Sequence, residues 1–245
     1  GHTRPQWIVP YGGRMTVDSV VQKAAMTLAL VIVTAALTWW YIGDIATGAP
    51  LDQQDNLAKL TGAVLVGSGL AFVLSLVNSF KRVISPALVL LFAAAEGVAL
   101  GAISKAFEIQ FADGIVTQAV IGTFAAFFGT LAAYKFFDIK VGNKFRMGVM
   151  AAMFGMVGLG LMELVLSLFG IQTGLFGFGA LGLLMAVAGL VLGIFMLILD
   201  FDFVERGVAA GLPERESWRA AFALTVSLVW IYTNLLRILA ILNRD

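Results

Sequence analysis

Seven apolar stretches of about 20 residues restrict this chain to one kind of fold. They run near Val20–Tyr41, Leu60–Phe80, Ile84–Ala106, Ile115–Phe137, Met147–Phe169, Phe176–Leu199 and Ala220–Leu242. Each is long enough to cross about 30 Å of hydrocarbon as a helix. Lipid cannot hydrogen-bond a free peptide group, so a span must be a helix or part of a closed barrel. Runs this long lack the roughly ten-residue alternating segments of barrel strands. A soluble alternative fails on composition. The chain is 60% apolar and 13% charged, against about 45–50% and about 25% in a globular domain, which leaves too little polar surface to coat a core. The expectation is an all-α polytopic membrane protein, with residues 1–19 an amino-terminal segment and 20–245 one seven-helix domain. No period of 20 to 50 residues repeats, so neither a solenoid nor an inverted repeat is visible.

The basic residues order the connectors. Arg4, Arg14 and Lys23 flank the first span, and Lys81 and Arg82 join the second to the third. Lys135, Lys140, Lys144 and Arg146 join the fourth to the fifth, and Arg206, Arg215 and Arg219 join the sixth to the seventh. The other set of connectors holds Lys59, Lys105 and Arg244 among the acids Asp44, Asp52, Asp55, Glu108 and Asp113. By the positive-inside rule the amino terminus is expected in the cytoplasm and the carboxyl terminus outside. The expected location is the plasma membrane of a bacterium.

Several chemistries are excluded. Cysteine is absent, which removes disulfides and thiolate chemistry, and His2 is the only histidine, so a histidine-based zinc site or catalytic triad cannot be built. A formal net charge of +1, spread over connectors, offers no nucleic-acid face. The first span is too long for a signal peptide and lacks a small-residue cleavage site. The glycine-rich runs Gly155–Gly160 and Gly177–Gly182 have no Lys-Ser/Thr sequel and read as close helix packing. Trp39, Trp40 and Tyr41 fit an interfacial belt, and Phe124, Phe127, Phe128, Phe136 and Phe137 read as lipid-facing or core aromatics.

Acids in or beside a span carry the functional signal, because an unpaired charge there is costly. Asp200, Asp202 and Glu205 close the sixth apolar run. Their plain explanation is an interfacial end cap paired with Lys81, Arg82 or Arg206. Negative charge at a helix carboxyl end is unfavourable by about 0.3–1 kcal/mol, so capping alone is a weak reason for three acids. Glu96, Glu163 and Arg237 are the other charges inside spans. Their depths permit a Glu163–Arg237 or Glu96–Arg237 pair.

Three segments in this order resemble the Bax inhibitor-1/YccA-like family, in a form common among actinobacteria. They are Ser85-Pro86-Ala87 leading to Ala95-Glu96-Gly97, then Asp200-Phe201-Asp202-Phe203-Val204-Glu205-Arg206, then Leu228-Val229-Trp230-Ile231-Tyr232 with Leu235-Leu236-Arg237-Ile238-Leu239. The resemblance implies six helices around a central seventh. It also implies a pH-sensitive calcium leak governed by two proton-sharing aspartates, one in the sixth span and one in the seventh. The first falls on Asp200, with Asp202 one step along. The second falls at Asn234, an amide that cannot ionise, so the two-carboxylate switch does not carry over intact. Glu163 is the candidate to supply the missing acid. Two carboxylates in low dielectric do not both ionise cheaply, which suits a proton-gated cation site. Calcium takes six to eight oxygens, which Asp200, Asp202, Glu205, Asn234 and loop carbonyls could partly supply.

The expected function is therefore a pH-sensitive calcium or cation leak rather than an enzyme, with lipid, calcium and protons as partners and no cofactor. A non-conducting regulatory membrane protein is the milder alternative. An intramembrane enzyme such as an aspartyl protease is the other alternative, weakened by the absence of a Gly-x-Gly-Asp setting, and a retinal protein is set aside because the seventh span has no lysine.

Overall fold

The structure, a computed structural model, describes residues 13–243. Arg4, Arg244, His2 and most of the expected amino-terminal segment lie outside the described residues. Seven helices follow in order: α1 (Val17–Ile42), α2 (Pro50–Phe80), α3 (Pro86–Gln110), α4 (Ile115–Phe136), α5 (Asn143–Leu168), α6 (Ala180–Ala210) and α7 (Glu216–Leu242). Each is long and apolar enough to cross a membrane. Among the described residues there is no strand, only a single antiparallel bridge between Arg14 and Pro213.

Local chemistry sets the ends. Thr16 accepts from the Ser19 amide while the Ser19 hydroxyl accepts from the Thr16 amide, a reciprocal cap that starts α1. Pro50 and Pro86 open α2 and α3, where a missing N–H costs nothing. Gly211, at φ 71, takes the left-handed turn that stops α6. Two helices outrun their apolar stretches: α2 begins at Pro50 and α6 continues to Ala210. Hydropathy marks only the part inside hydrocarbon, whereas a helix continues as long as its residues permit. Asp200 and Asp202 therefore lie within α6 and not at its carboxyl end, which removes the end-cap reading.

The chain divides into two compact units, to which α3, α6 and α7 each contribute. One holds the described residues up to Ile103 together with Phe203–Thr225. There the glycines of α3 seat it tightly: a Cβ on Gly101 would lie 2.4 Å from the Ala35 carbonyl oxygen, and one on Gly67 of α2 2.8 Å from the Ala99 nitrogen. Phe92 meets Phe222 edge to face at 5.0 Å, and the Ser19 and Ser217 hydroxyls meet at 2.6 Å.

The second unit comprises Ser104–Asp202 and the residues from Val226 onward. Its core packs Val149 of α5 against Leu192 and Met196 of α6, with Phe145, Val226 and Trp230 around them. Phe201 is flanked by Phe127 and Tyr134 at 5.6 and 5.8 Å. Phe124, Phe128, Phe136 and Phe137 are exposed, as lipid-facing aromatics are. One packing expectation is corrected. A Cβ on Gly155 or Gly158 would meet nothing within 4 Å, so the α5 glycines are not a close-contact face of this chain.

Candidate functional site

Within the second unit α6 and α7 approach closely because α6 places glycines at the crossing. A Cβ on Gly193 would lie 2.6 Å from Ile231 Cγ1, and one on Gly189 2.5 Å from Asn234 Oδ1. Spaced four apart, the two glycines share one face of the helix. Trp230 uses the gap, its indole N–H donating to the Gly189 carbonyl at 3.0 Å. This contact sets the register of the two helices and decides which side chains face each other further along.

Asp200 lies beyond the crossing on α6, and its carboxylate accepts from the Ser227 hydroxyl of α7 at 2.5 Å. Ser227 is buried. Asn234, the expected partner, instead donates its amide to the Trp230 carbonyl at 2.8 Å and packs against Gly189. It lies seven residues from Ser227 on the same face of α7, about 10 Å along the axis. The α7 side chain that faces Asp200 is thus Ser227, and the assignment to Asn234 is corrected. Nothing in the sequence alone singles out Ser227, because an i to i+7 spacing keeps both on one face and only the glycine crossing says which is opposite the acid.

Asp202 points elsewhere. Two residues along a helix turn a side chain by about 200°, so Asp200 and Asp202 do not face one another. Asp202 is buried and bridges to Arg146 of α5, Nη2 to Oδ2 at 3.2 Å, while Arg146 Nη1 donates to Asn143 Oδ1 at 3.0 Å. Arg146 was one basic residue among many at that end of the spans, and nothing in the sequence distinguished it. Glu205 is exposed near the end of α6. Lys81 and Arg82 present their backbone carbonyls to Arg219 at 3.4 and 3.2 Å. Arg219 is itself paired with Glu216 at 2.6 Å.

The remaining intramembrane charges are not joined. Glu163 accepts from the Thr173 hydroxyl and amide at 2.5 and 3.3 Å, tying the end of α5 to the connector that follows. Arg237 donates to the Leu175 carbonyl at 3.4 Å and stacks 5.4 Å from the Phe176 ring, with no carboxylate partner among the described residues. The expected Glu163–Arg237 pair is therefore not formed, and Glu163 does not serve as a second acid beside Asp200. Glu96 lies on α3 in the other unit and makes no hydrogen bond or ion pair among the described residues. Tyr232 is the other polar anchor of α7, its hydroxyl 2.5 Å from that of Ser104 on α3.

Among the described residues no three acidic or histidine side chains converge as a metal-binding group. Asp200 and Asp202 are separated by their direction and engaged by Ser227 and Arg146, so they do not form a joint calcium site in this arrangement. What they do form is a pair of polar links from α6, one to α7 and one to α5.

Seven membrane-length helices with a carboxylate hydrogen-bonded between two of them define a polytopic helical membrane protein with an intramembrane acid. The Bax inhibitor 1 like family model matches residues 3–244, nearly the whole chain, and the chain belongs to that family. No curated protein matches it.

Proposed function

We propose that this protein is a pH-sensitive cation leak of a bacterial plasma membrane, with calcium as its cargo and no enzymatic activity. The observation that carries the reading is the Asp200 carboxylate, set within a membrane span and held by one hydroxyl of the next helix. A hydrogen bond to an ionised carboxylate is about twice as strong as its neutral counterpart. Protonation of Asp200 therefore weakens the α6–α7 link and removes a charge from the path at the same time. A proton is a fitting signal for such a contact, since few other changes alter one side chain so sharply. The Arg146–Asp202 bridge holds α6 to α5 while the α7 side loosens. The basic connectors favour an orientation with the amino terminus in the cytoplasm and the carboxyl terminus outside.

The test is calcium flux from proteoliposomes over a pH series. The wild-type protein is expected to leak with a pH-dependent rate, and Asp200→Asn, which keeps shape and loses the titrating group, to leak at a rate independent of pH. A well-folded Asp200→Asn protein with an unaltered pH profile would leave Asp200 a structural hydrogen-bond acceptor and overturn the reading.

A further inference from the structure

The α4–α5 connector and the helix ends beside it carry lysines and exposed rings that the leak does not use. Lys135 in the last turn of α4, Lys140 in the connector and Lys144 and Arg146 in the first turn of α5 lie close in sequence, with Asp138 as the only acid among residues 135–146. The backbone turns through Asp138 at φ 49, and the Ile139 amide donates back to the Tyr134 carbonyl at 3.1 Å, so α4 ends in a tight hook. Phe136 and Phe137 stand on that hook 83% and 71% exposed, their rings edge to face at 5.2 Å. Lys140 and Asp138 are 3.9 Å apart, and both are almost fully exposed, so solvent screens this pair strongly. Lys135 and Lys144 are exposed as well.

The connector joins two spans and so lies where hydrocarbon gives way to headgroups. Phenylalanine rings exposed at that level can bury into the headgroup–acyl boundary, and clustered lysines beside them are attracted to anionic headgroups. Arg146 extends the patch inward: its two terminal nitrogens hold Asn143 and Asp202, and its Nε–H has no partner among the described residues. We infer that the α4–α5 connector and the helix ends beside it bind anionic phospholipid headgroups, with Lys135, Lys140 and Lys144 on the phosphates, Phe136 and Phe137 seated in the interface, and Arg146 linking the headgroup layer to Asp202. The rings favour a lipid over an acidic peptide or a free anion, because neither of those would need an exposed aromatic pair beside the charges. This inference stands apart from the leak and survives if no ion is conducted.

The test uses the full chain, purified from bilayers of mixed phosphatidylcholine and phosphatidylglycerol, with the retained lipid counted by native mass spectrometry. The wild-type protein is expected to retain phosphatidylglycerol preferentially. The Lys135→Gln/Lys140→Gln/Lys144→Gln variant should lose that preference by about five-fold for each lysine removed. The corresponding Lys→Arg variant and Lys59→Gln, in α2, should keep it. Equal retention of both lipids by the wild type, or an undiminished preference in the triple glutamine variant, would overturn the site. Displacement of the lipid by inorganic phosphate or an acidic peptide would overturn it as well, by assigning the patch to a soluble anion.

Discussion

The Ser227 hydroxyl donates to the Asp200 carboxylate at 2.5 Å, and this one bond joins α7 to α6 beyond their glycine crossing. A hydroxyl can hold a carboxylate in either protonation state, donating to the anion or sharing the proton of the acid. It cannot itself change charge near neutral pH. The pair is thus a single titrating group with a fixed neighbour, which differs physically from two carboxylates sharing a proton.

Removing the donor should shift the response without abolishing it. Ser227→Ala takes a stabilising hydrogen bond from the charged form of Asp200, so the midpoint of the calcium leak should move to higher pH. A hydrogen bond to a charged group contributes about 1.5–3 kcal/mol, which corresponds to about one to two pH units. Ser227→Asp should split the profile into two steps, since coupled acids lose their protons separately. Asn234→Asp should leave midpoint and steepness close to wild type. The comparison of flux against pH for the three variants places the partner of Asp200. A split profile in Asn234→Asp with none in Ser227→Asp would return the role to Asn234.

The spans were legible because hydrocarbon imposes a length and a polarity on every helix that crosses it. Their extensions past hydrocarbon, to Pro50 at one end of α2 and Ala210 at one end of α6, were not, because charged residues continue a helix as readily as apolar ones. Asp200 stood out for the cost of a carboxylate in that setting. Its neighbour did not, because which α7 residue lies opposite depends on where the Gly189–Gly193 face meets Trp230 and Ile231, a relation between helices and not a pattern within one. Arg146 was hidden for a related reason: the charge rule assigns all basic connectors to one side and cannot say which residue reaches inward.

Breaking the other α6 link should destabilise the protein in a way that its partner can repair. Arg146→Gln takes one cation from the buried Asp202 carboxylate. A fully buried pair broken on one side costs about 3–5 kcal/mol. Arg146 is 29% exposed, so part of that is recovered by solvent and about 1–3 kcal/mol is expected. Asp202→Asn in the same chain removes the charge that Arg146 faced and should restore much of the loss. Thermal unfolding in detergent would measure both; an Arg146→Gln variant as stable as wild type would show that the bridge contributes little, and equal instability of the single and double variants would show that the loss does not come from the Asp202 charge.

The glycines separate two kinds of small-residue run. Gly189→Ala sets a methyl where Asn234 Oδ1 would be 2.5 Å away, and Gly193→Ala sets one 2.6 Å from Ile231 Cγ1. Either should cost about 1–3 kcal/mol by overpacking. Gly155→Ala and Gly158→Ala meet nothing within 4 Å and should be neutral or slightly stabilising. Unfolding midpoints for the four variants make the comparison, and a large loss at Gly155 or Gly158 would point to a contact on α5 from outside this chain.

Topology gives the remaining prediction. Of the connectors named by charge, that between α4 and α5 is strongly basic, while the one between α5 and α6, residues 169–179, has no charged residue at all. Retention of basic residues orients a span during insertion, and short connectors respond most strongly. A reporter placed after Lys140 should therefore read cytoplasmic, and one placed after Gly170 external. The structure adds a constraint, because Glu163 and Thr173 bind each other at the α5–α6 end while Arg146 and Asp202 bind at the opposite end of α5. An inverted α5 would have to carry the Arg146–Asp202 bridge to the outer face together with Lys135, Lys140 and Lys144. Labelling of single cysteines at the two positions by a membrane-impermeant reagent decides it, since the chain has no cysteine of its own. Labelling of both positions from one side would mean that α5 does not cross the membrane, and labelling of position 140 alone from outside would reverse the orientation.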